Sequence, residues 1–206
     1  MPTLLHLDSS PLETSISREL AREFVKTWKA AHPTGTVLYR DLAANPSKPI
    51  DAPWIHSVYT PANSRTPEQK AVLSHSDELI AELQQADEYV ISAAMHNFTI
   101  PSSLKLWIDQ VVRAGETFSY SSQGPEGLLK GKKATILAAS GGVYTAGTPA
   151  AAINFSDPYL KAILGFIGIT DLKVISAGGA AQLMQGTIDR ESFLRPHLEL
   201  VRATLA

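Results

Sequence analysis

Hydrophobic and polar positions along this chain switch repeatedly between two periods, and the switches mark its elements. Tyr89-Val90-Ile91-Ser92-Ala93-Ala94 is a nearly continuous apolar run, the pattern of a strand buried on both faces. Thr3–Leu7, Thr36–Tyr39, Ala134–Ala139 and Leu172–Ser176 repeat it. Between these runs the apolar spacing lengthens to that of helices. Leu20, Ala21, Phe24, Val25 and Trp28 share one helix face, and Leu104, Trp107, Ile108, Val111 and Val112 share another, with Ser102 and Ser103 as caps. Further helices are predicted over Pro67–Gln85, Asp157–Phe166 and 187–205. Pro67 and Pro158 suit first turns, whereas Pro196 should kink or break the last helix. Residues 41–66 show no sustained period and read as a long surface excursion. The turn-rich 121–127 stretch predicts a short excursion or hairpin.

Strands alternating with helices imply a parallel sheet with helices on both faces. Five such strands predict a flavodoxin-like, doubly wound α/β fold of order 2-1-3-4-5. With 206 residues, 44% of them apolar, the chain is expected to form one domain over 1–206. A formal net charge of −2 and the lack of a basic run argue against nucleic acid as partner. The chain has no cysteine, which excludes disulfides, thiolate metal sites and a redox thiol. Its six histidines fall in no metal-binding pattern, so no metal is expected. MPTLLHLD is too short and wrongly flanked for a signal peptide, and no run is long enough to span a membrane. The expected location is the cytoplasm.

In this fold ligands bind beyond the carboxyl ends of the strands, at the switch point between the first and third. Three loops there carry candidate chemistry. The loop after the first strand holds Ser9, Ser10, Thr14, Ser15 and Ser17 and leads into a helix, whose first N–H groups favour an anion. Hydroxyls around such a terminus suit a phosphate monoester, with Arg18 adding positive charge. The plainer alternative is that Ser17 caps the helix and the rest is solvated loop. Met95-His96-Asn97-Phe98 follows the third strand. Asn97 can donate and accept at once, matching an amide-like edge, while Met95 and Phe98 offer apolar faces. Spacing alone also allows a turn with Asn97 strained and Phe98 in the core. Ser140-Gly141-Gly142 follows the fourth strand. Its glycines admit close backbone approach to a ligand, or form an ordinary tight turn. There is no phosphate loop of the G-x-x-x-x-G-K-[ST] type, no G-x-G-x-x-G turn and no G-x-S-x-G elbow.

Taken together, these blocks resemble the FMN-dependent NADH-azoreductases, also described as FMN-dependent NADH:quinone oxidoreductases. The resemblance runs nearly end to end and includes Asp8-Ser9-Ser10, Ser15-Ile16-Ser17-Arg18, Met95–Phe98, Gly115–Tyr120, Gly124–Leu129, Gly141–Tyr144 and Leu164–Ile169. It implies one non-covalent FMN per subunit, NADH or NADPH as co-substrate, and two-electron reduction of quinones and azo compounds by a ping-pong mechanism. It also implies a homodimer with the site at the interface. By the same resemblance Ser10, Ser15, Ile16 and Ser17 hold the flavin phosphate. Met95, His96, Asn97 and Phe98 line the ring, with His96 where tyrosine is usual. Ala139, Ser140, Gly141 and Gly142 flank its other side, in place of a Ser/Thr-Arg-Gly-Gly segment. No side chain is expected to be catalytic, since the hydride passes through flavin N5. The alternative function is a flavodoxin-like electron carrier without substrate turnover.

Overall fold

In this computed structural model, which describes residues 1–205, the apolar runs pair as parallel strands. β1 (Thr3–Asp8) is buried along its whole length and leads to α1 (Ile16–Ala31) and then β2 (Thr36–Asp41). α2 (Ala52–Tyr59) and α3 (Pro67–Gln85) follow, then β3 (Glu88–Ala94) and α4 (Ser102–Val111). The antiparallel hairpin β4 (Phe118–Ser121) and β5 (Gly124–Gly127) precedes β6 (Lys133–Ser140). α5 (Asp157–Phe166), β7 (Asp171–Gly178), α6 (Ala181–Met184) and α7 (Arg190–Ala203) complete the chain. The main sheet has the order β2-β1-β3-β6-β7, the expected 2-1-3-4-5 among its five strands.

The period of two along each strand divides the core between the two faces of the sheet. Leu5, Leu7, Tyr89, Ile91, Ala93, Ala134 and Ile136 pack with Leu79, Leu83, Leu104, Trp107, Ile108, Leu160 and Leu164 from α3, α4 and α5. The alternate residues Leu4, Val90, Leu137, Ile175 and Ala177 pack with Leu20, Phe24, Trp28, Phe193, Leu194 and Val201 from α1 and α7. α3 starts at Pro67 as predicted. Thr66 and Gln69 close its first turn reciprocally in a capping box.

Three expectations change, and one element is added. The 41–66 excursion contains α2, whose start carries two sequence signals: Asp51 accepts from Trp54 N–H at 2.9 Å, and proline stands in the first turn. A four-residue helix, α6, stands beyond the fifth parallel strand, too short to show a period. Pro196 lies inside α7 without interrupting it. Both Pro196 and Ser192, four residues earlier, are exposed, so water can satisfy the carbonyl the proline leaves free. Neither Ser102 nor Ser103 caps α4; its N-cap is Pro101, and the Ser103 hydroxyl bonds elsewhere. Among the described residues no helix is long and apolar enough to cross a membrane.

Candidate active site

Because β1, β3 and β6 are parallel neighbours, the loops after them emerge on one edge. Hydrogen bonds tie them together. Ser9 Oγ donates to Ser92 O at 2.6 Å, Ser103 Oγ to Ser9 O at 3.1 Å, and Met95 N–H to Ala139 O at 2.7 Å.

In the first loop, Ser15 is the N-cap residue of α1 but makes no capping bond. Its hydroxyl instead lies 3.0 Å from that of Ser17, and both are buried. Ser17 therefore is not a helix cap. Among the described residues the N–H groups of Ile16, Ser17 and Arg18 have no acceptor, whereas Glu19 N–H reaches Ser15 O at 3.1 Å. Free N–H groups beside two paired hydroxyls form a neutral donor set for an anion. Ser10, also buried, lies in the same loop.

Arg18 does not lend that set its charge. Its side chain turns inward: Nε and one terminal nitrogen donate to Ser10 O at 2.8 and 2.7 Å, and the guanidinium pairs with Asp8 at 3.3 Å and Asp41 at 2.7 Å. Burial alone would push the Asp8 carboxyl up, but His6, Ser92 and Arg18 outweigh it and hold the pKa below the usual range. Asp41 is likewise held low: burial is outweighed by N–H donors from Ala44 and Ala43 and by Arg18. The arginine thus fixes the Ser10 carbonyl rather than adding charge to the donor set.

In the second loop, His96 and Thr99 exchange two backbone bonds of 2.9 and 3.0 Å around Asn97 and Phe98, whose φ angles are 48° and 70°. This is a two-residue turn with both central residues left-handed, a conformation asparagine tolerates and phenylalanine resists. Asn97 takes the left-handed backbone of the plainer reading, but an asparagine bears it at little cost, so the strain falls on Phe98. Phe98, however, is 45% exposed rather than in the core, and meets Tyr144 edge-on with ring centroids 6.1 Å apart. Strain at a half-solvated aromatic meets no packing need, which makes this turn a candidate binding surface. Phe98→Gly should relieve about 1 kcal/mol of steric strain and give back a similar amount in unfolded-state entropy. The melting temperature should hardly move, while flavin-dependent NADH oxidation falls; a melting temperature that drops by many degrees would make Phe98 structural. A cleft of about 490 Å³ opens beside this turn, lined by His96, Asn97, Ile100, Ser102, Lys105 and Tyr159.

The third loop accounts for every carbonyl from Ser140 to Tyr144. Ser140 O, Gly141 O and Gly142 O accept from Ala180, Ala181 and Gly179 N–H, each at 3.0 Å. The Ser140 hydroxyl also donates to Gly142 O at 2.9 Å, so it faces its own loop. Val143 O and Tyr144 O accept from Thr148 Oγ1 and Asn154 Nδ2, both at 3.2 Å. No acceptor is found among the described residues for the N–H groups of Gly141, Gly142, Val143 or Tyr144. Carbonyls drawn back and amides left free create a donor array for an electron-rich edge. Ala139, the last apolar residue of β6, is buried beneath it.

The chain matches the model of the flavodoxin-like fold family over residues 2–197. It is 61% identical, over the full length of both chains, to an FMN-dependent NADH:quinone oxidoreductase of Acidobacterium capsulatum. The chain belongs to the FMN-dependent NADH:quinone oxidoreductase family. A second family member, from Nostoc punctiforme, is 48% identical over 86% of this chain and 87% of its own. Among solved structures, an azoreductase from Bacillus anthracis superposes with a TM-score of 0.89 at 28% identity, covering 100% of this chain and 99% of that one. An FMN-dependent NADH-azoreductase from Bacillus anthracis in complex with FMN superposes with a TM-score of 0.88 at 29% identity, covering 100% and 98%.

Within this member of the family, sequence reasoning gathered Ser10, Ser15, Ile16, Ser17, Met95, His96, Asn97, Phe98, Ala139, Ser140, Gly141 and Gly142, and the structure sets all of them on or beside the one edge. It did not assign the supports: Arg18 behind Ser10, Ser103 behind Ser9, and the Gly178–Ala181 turn behind the third loop. The glycine pair after the fifth strand was a legible signal for the last. A separate cleft of about 460 Å³ lies between α1 and α7, but its arginines 190, 195 and 202 are paired with Glu19, Glu191 and Glu23 at the surface.

Proposed function

We propose that this chain is an FMN-dependent oxidoreductase that passes two electrons from NADH to quinone or azo acceptors. The observation that carries the reading is the pair of complementary donor sets on one sheet edge. A phosphate needs neutral N–H and O–H donors, and the start of α1 with Ser15 and Ser17 supplies them. The ring's pyrimidine side needs fixed donors where charge grows on reduction, and the amides of Gly141–Tyr144 are free to supply them. These two features fit FMN on the donor chemistry alone.

FMN held there would supply the redox chemistry that couples nicotinamide oxidation to two-electron reduction of the acceptor. The chain's own residues bind and orient. Ser10, Ser15, Ile16 and Ser17 hold the phosphate. Met95, His96, Asn97 and Phe98 line one side of the ring, with Asn97 matching its amide-like edge, and Ala139–Gly142 flank the other. The cleft beside His96 and Asn97 receives the nicotinamide and the acceptor in turn, so no second nucleotide fold is required. NADPH is the alternative co-substrate to be compared in the same assay.

Residues 1–206 act as one FMN-binding domain, in the cytoplasm, where nicotinamide co-substrate is available. The protein works as a homodimer with the active site at the subunit interface. The exposed apolar side chains of Ile55 and Tyr59 on α2 and Val72 on α3 support this assembly, and sedimentation at two protein concentrations tests it.

Ser17→Ala should weaken FMN binding about fivefold, the loss of one hydrogen bond of roughly 1 kcal/mol. An unchanged flavin affinity would remove Ser17 from the site. Double-reciprocal plots of NADH oxidation at several quinone concentrations should be parallel. Intersecting lines would reject sequential use of one cleft.

A further inference from the structure

The free amides of Gly141–Tyr144 face outward because something holds the carbonyls back, and that support comes from outside the loop. Three consecutive N–H groups, of Gly179, Ala180 and Ala181, take the three carbonyls of Gly142, Ser140 and Gly141 at 3.0 Å each. Close approach depends on the glycine pair before α6. A Cβ at Gly178 would lie 3.1 Å from Gly142 O and 3.3 Å from Val143 Cα, both loop backbone. Gly179 has φ +87°, which L side chains rarely adopt. Amides fixed in advance stabilise growing charge without reorganising, and a displacement of a few tenths of an ångström degrades them.

We propose that Gly178–Ala181 is a positioning element of the flavin site. By bracing the carbonyls of residues 140–142 from behind, it aims the opposite amides at the ring and raises the preference of the site for the reduced, electron-richer flavin. This rests on the FMN reading above and goes beyond it. The segment touches neither ring nor substrate; it sets how strongly the site favours electron uptake.

The test compares wild type, Gly178→Ala, Ala180→Pro and Gly186→Ala, each titrated with FMN and then reduced stepwise to obtain the midpoint potential. Gly178→Ala pushes on Gly142 O. Ala180→Pro deletes the donor to Ser140 O at a residue whose φ of −61° already suits proline, so it keeps the test alive if the first variant fails to fold. Gly186→Ala is the control: it adds left-handed strain, φ +67°, where a new Cβ meets nothing within 4 Å. In the first two variants reduced FMN should lose about tenfold more affinity than oxidised FMN, which lowers the potential by about 30 mV. Gly186→Ala should lose thermal stability with no change in potential. A wild-type potential in both test variants, whatever their stability, would overturn the proposal and leave the FMN reading standing. Wild-type protein that takes up no FMN would overturn both.

Discussion

Replacing Arg18 with methionine should cost about 3–5 kcal/mol of stability at neutral pH, because it leaves buried carboxylates without their guanidinium. Asp8 is 2% exposed, sits on the interior strand β1, and shares Arg18 with Asp41. For a chain of this length the melting temperature should fall by roughly 10 °C. The deficit should depend on pH in a defined sense. Asp8 and Asp41 both have depressed pKa values in the folded protein. Groups of that kind contribute stability that is complete above the unfolded carboxylate pKa, about 4, and is lost as the pH falls through the folded value. In Arg18→Met, burial of Asp8 is less opposed and its pKa rises, so protonation relieves the variant earlier. The gap between variant and wild type should be widest near pH 7 and narrow as the pH falls toward 4. A gap that stays constant over that range would mean Arg18 acts by packing alone. The variant should also bind FMN more weakly, since the two bonds that fix the Ser10 carbonyl are gone.

Gly127→Ala should be nearly as damaging, for a steric reason. Gly127 ends β5, and its missing Cβ would overlap the backbone at Gly168 N and Ile167 C. Gly168 reciprocates: at φ +104°, its own missing Cβ would lie 3.0 Å from Gly127 C and Leu129 N. The two backbones therefore touch directly, and Leu129 N–H closes the contact on Ile167 O at 2.9 Å. No side chain can rotate away to make room, so the strain falls on the chain itself and should reach about 3 kcal/mol. The contact seats the β4–β5 hairpin on the turn between α5 and β7. Thermal unfolding should show a drop of roughly 6–12 °C for Gly127→Ala. Gly124→Ala, at the hairpin turn with φ +111° and open space around it, should cost only about 1 kcal/mol of backbone strain. Equal losses for the two would show that the hairpin is not held by this contact.

Periodicity and punctuation determined much of this protein without any coordinates. The five apolar runs could be buried on both faces only as parallel strands between helices, and Thr66-Pro67 with Gln69 carried the start of α3 in its own side chains. The three strand-tip loops were legible for a similar reason: hydroxyls, an Asn–Phe turn and paired glycines are polar or flexible breaks at the ends of apolar runs. The tertiary structure alone decided which way the polar groups point. That Arg18 turns inward follows from Asp8 and Asp41 lying on neighbouring strands, 33 residues apart in the chain but paired in register. That the Ser140 hydroxyl serves its own loop, and that the amides of Gly141–Tyr144 stay free, depends on a turn some 40 residues later reaching back to their carbonyls. Local spacing encodes where a chain must bend. Which partner a buried charge or carbonyl finds is settled by contacts between distant segments, and these exist only once the sheet has formed.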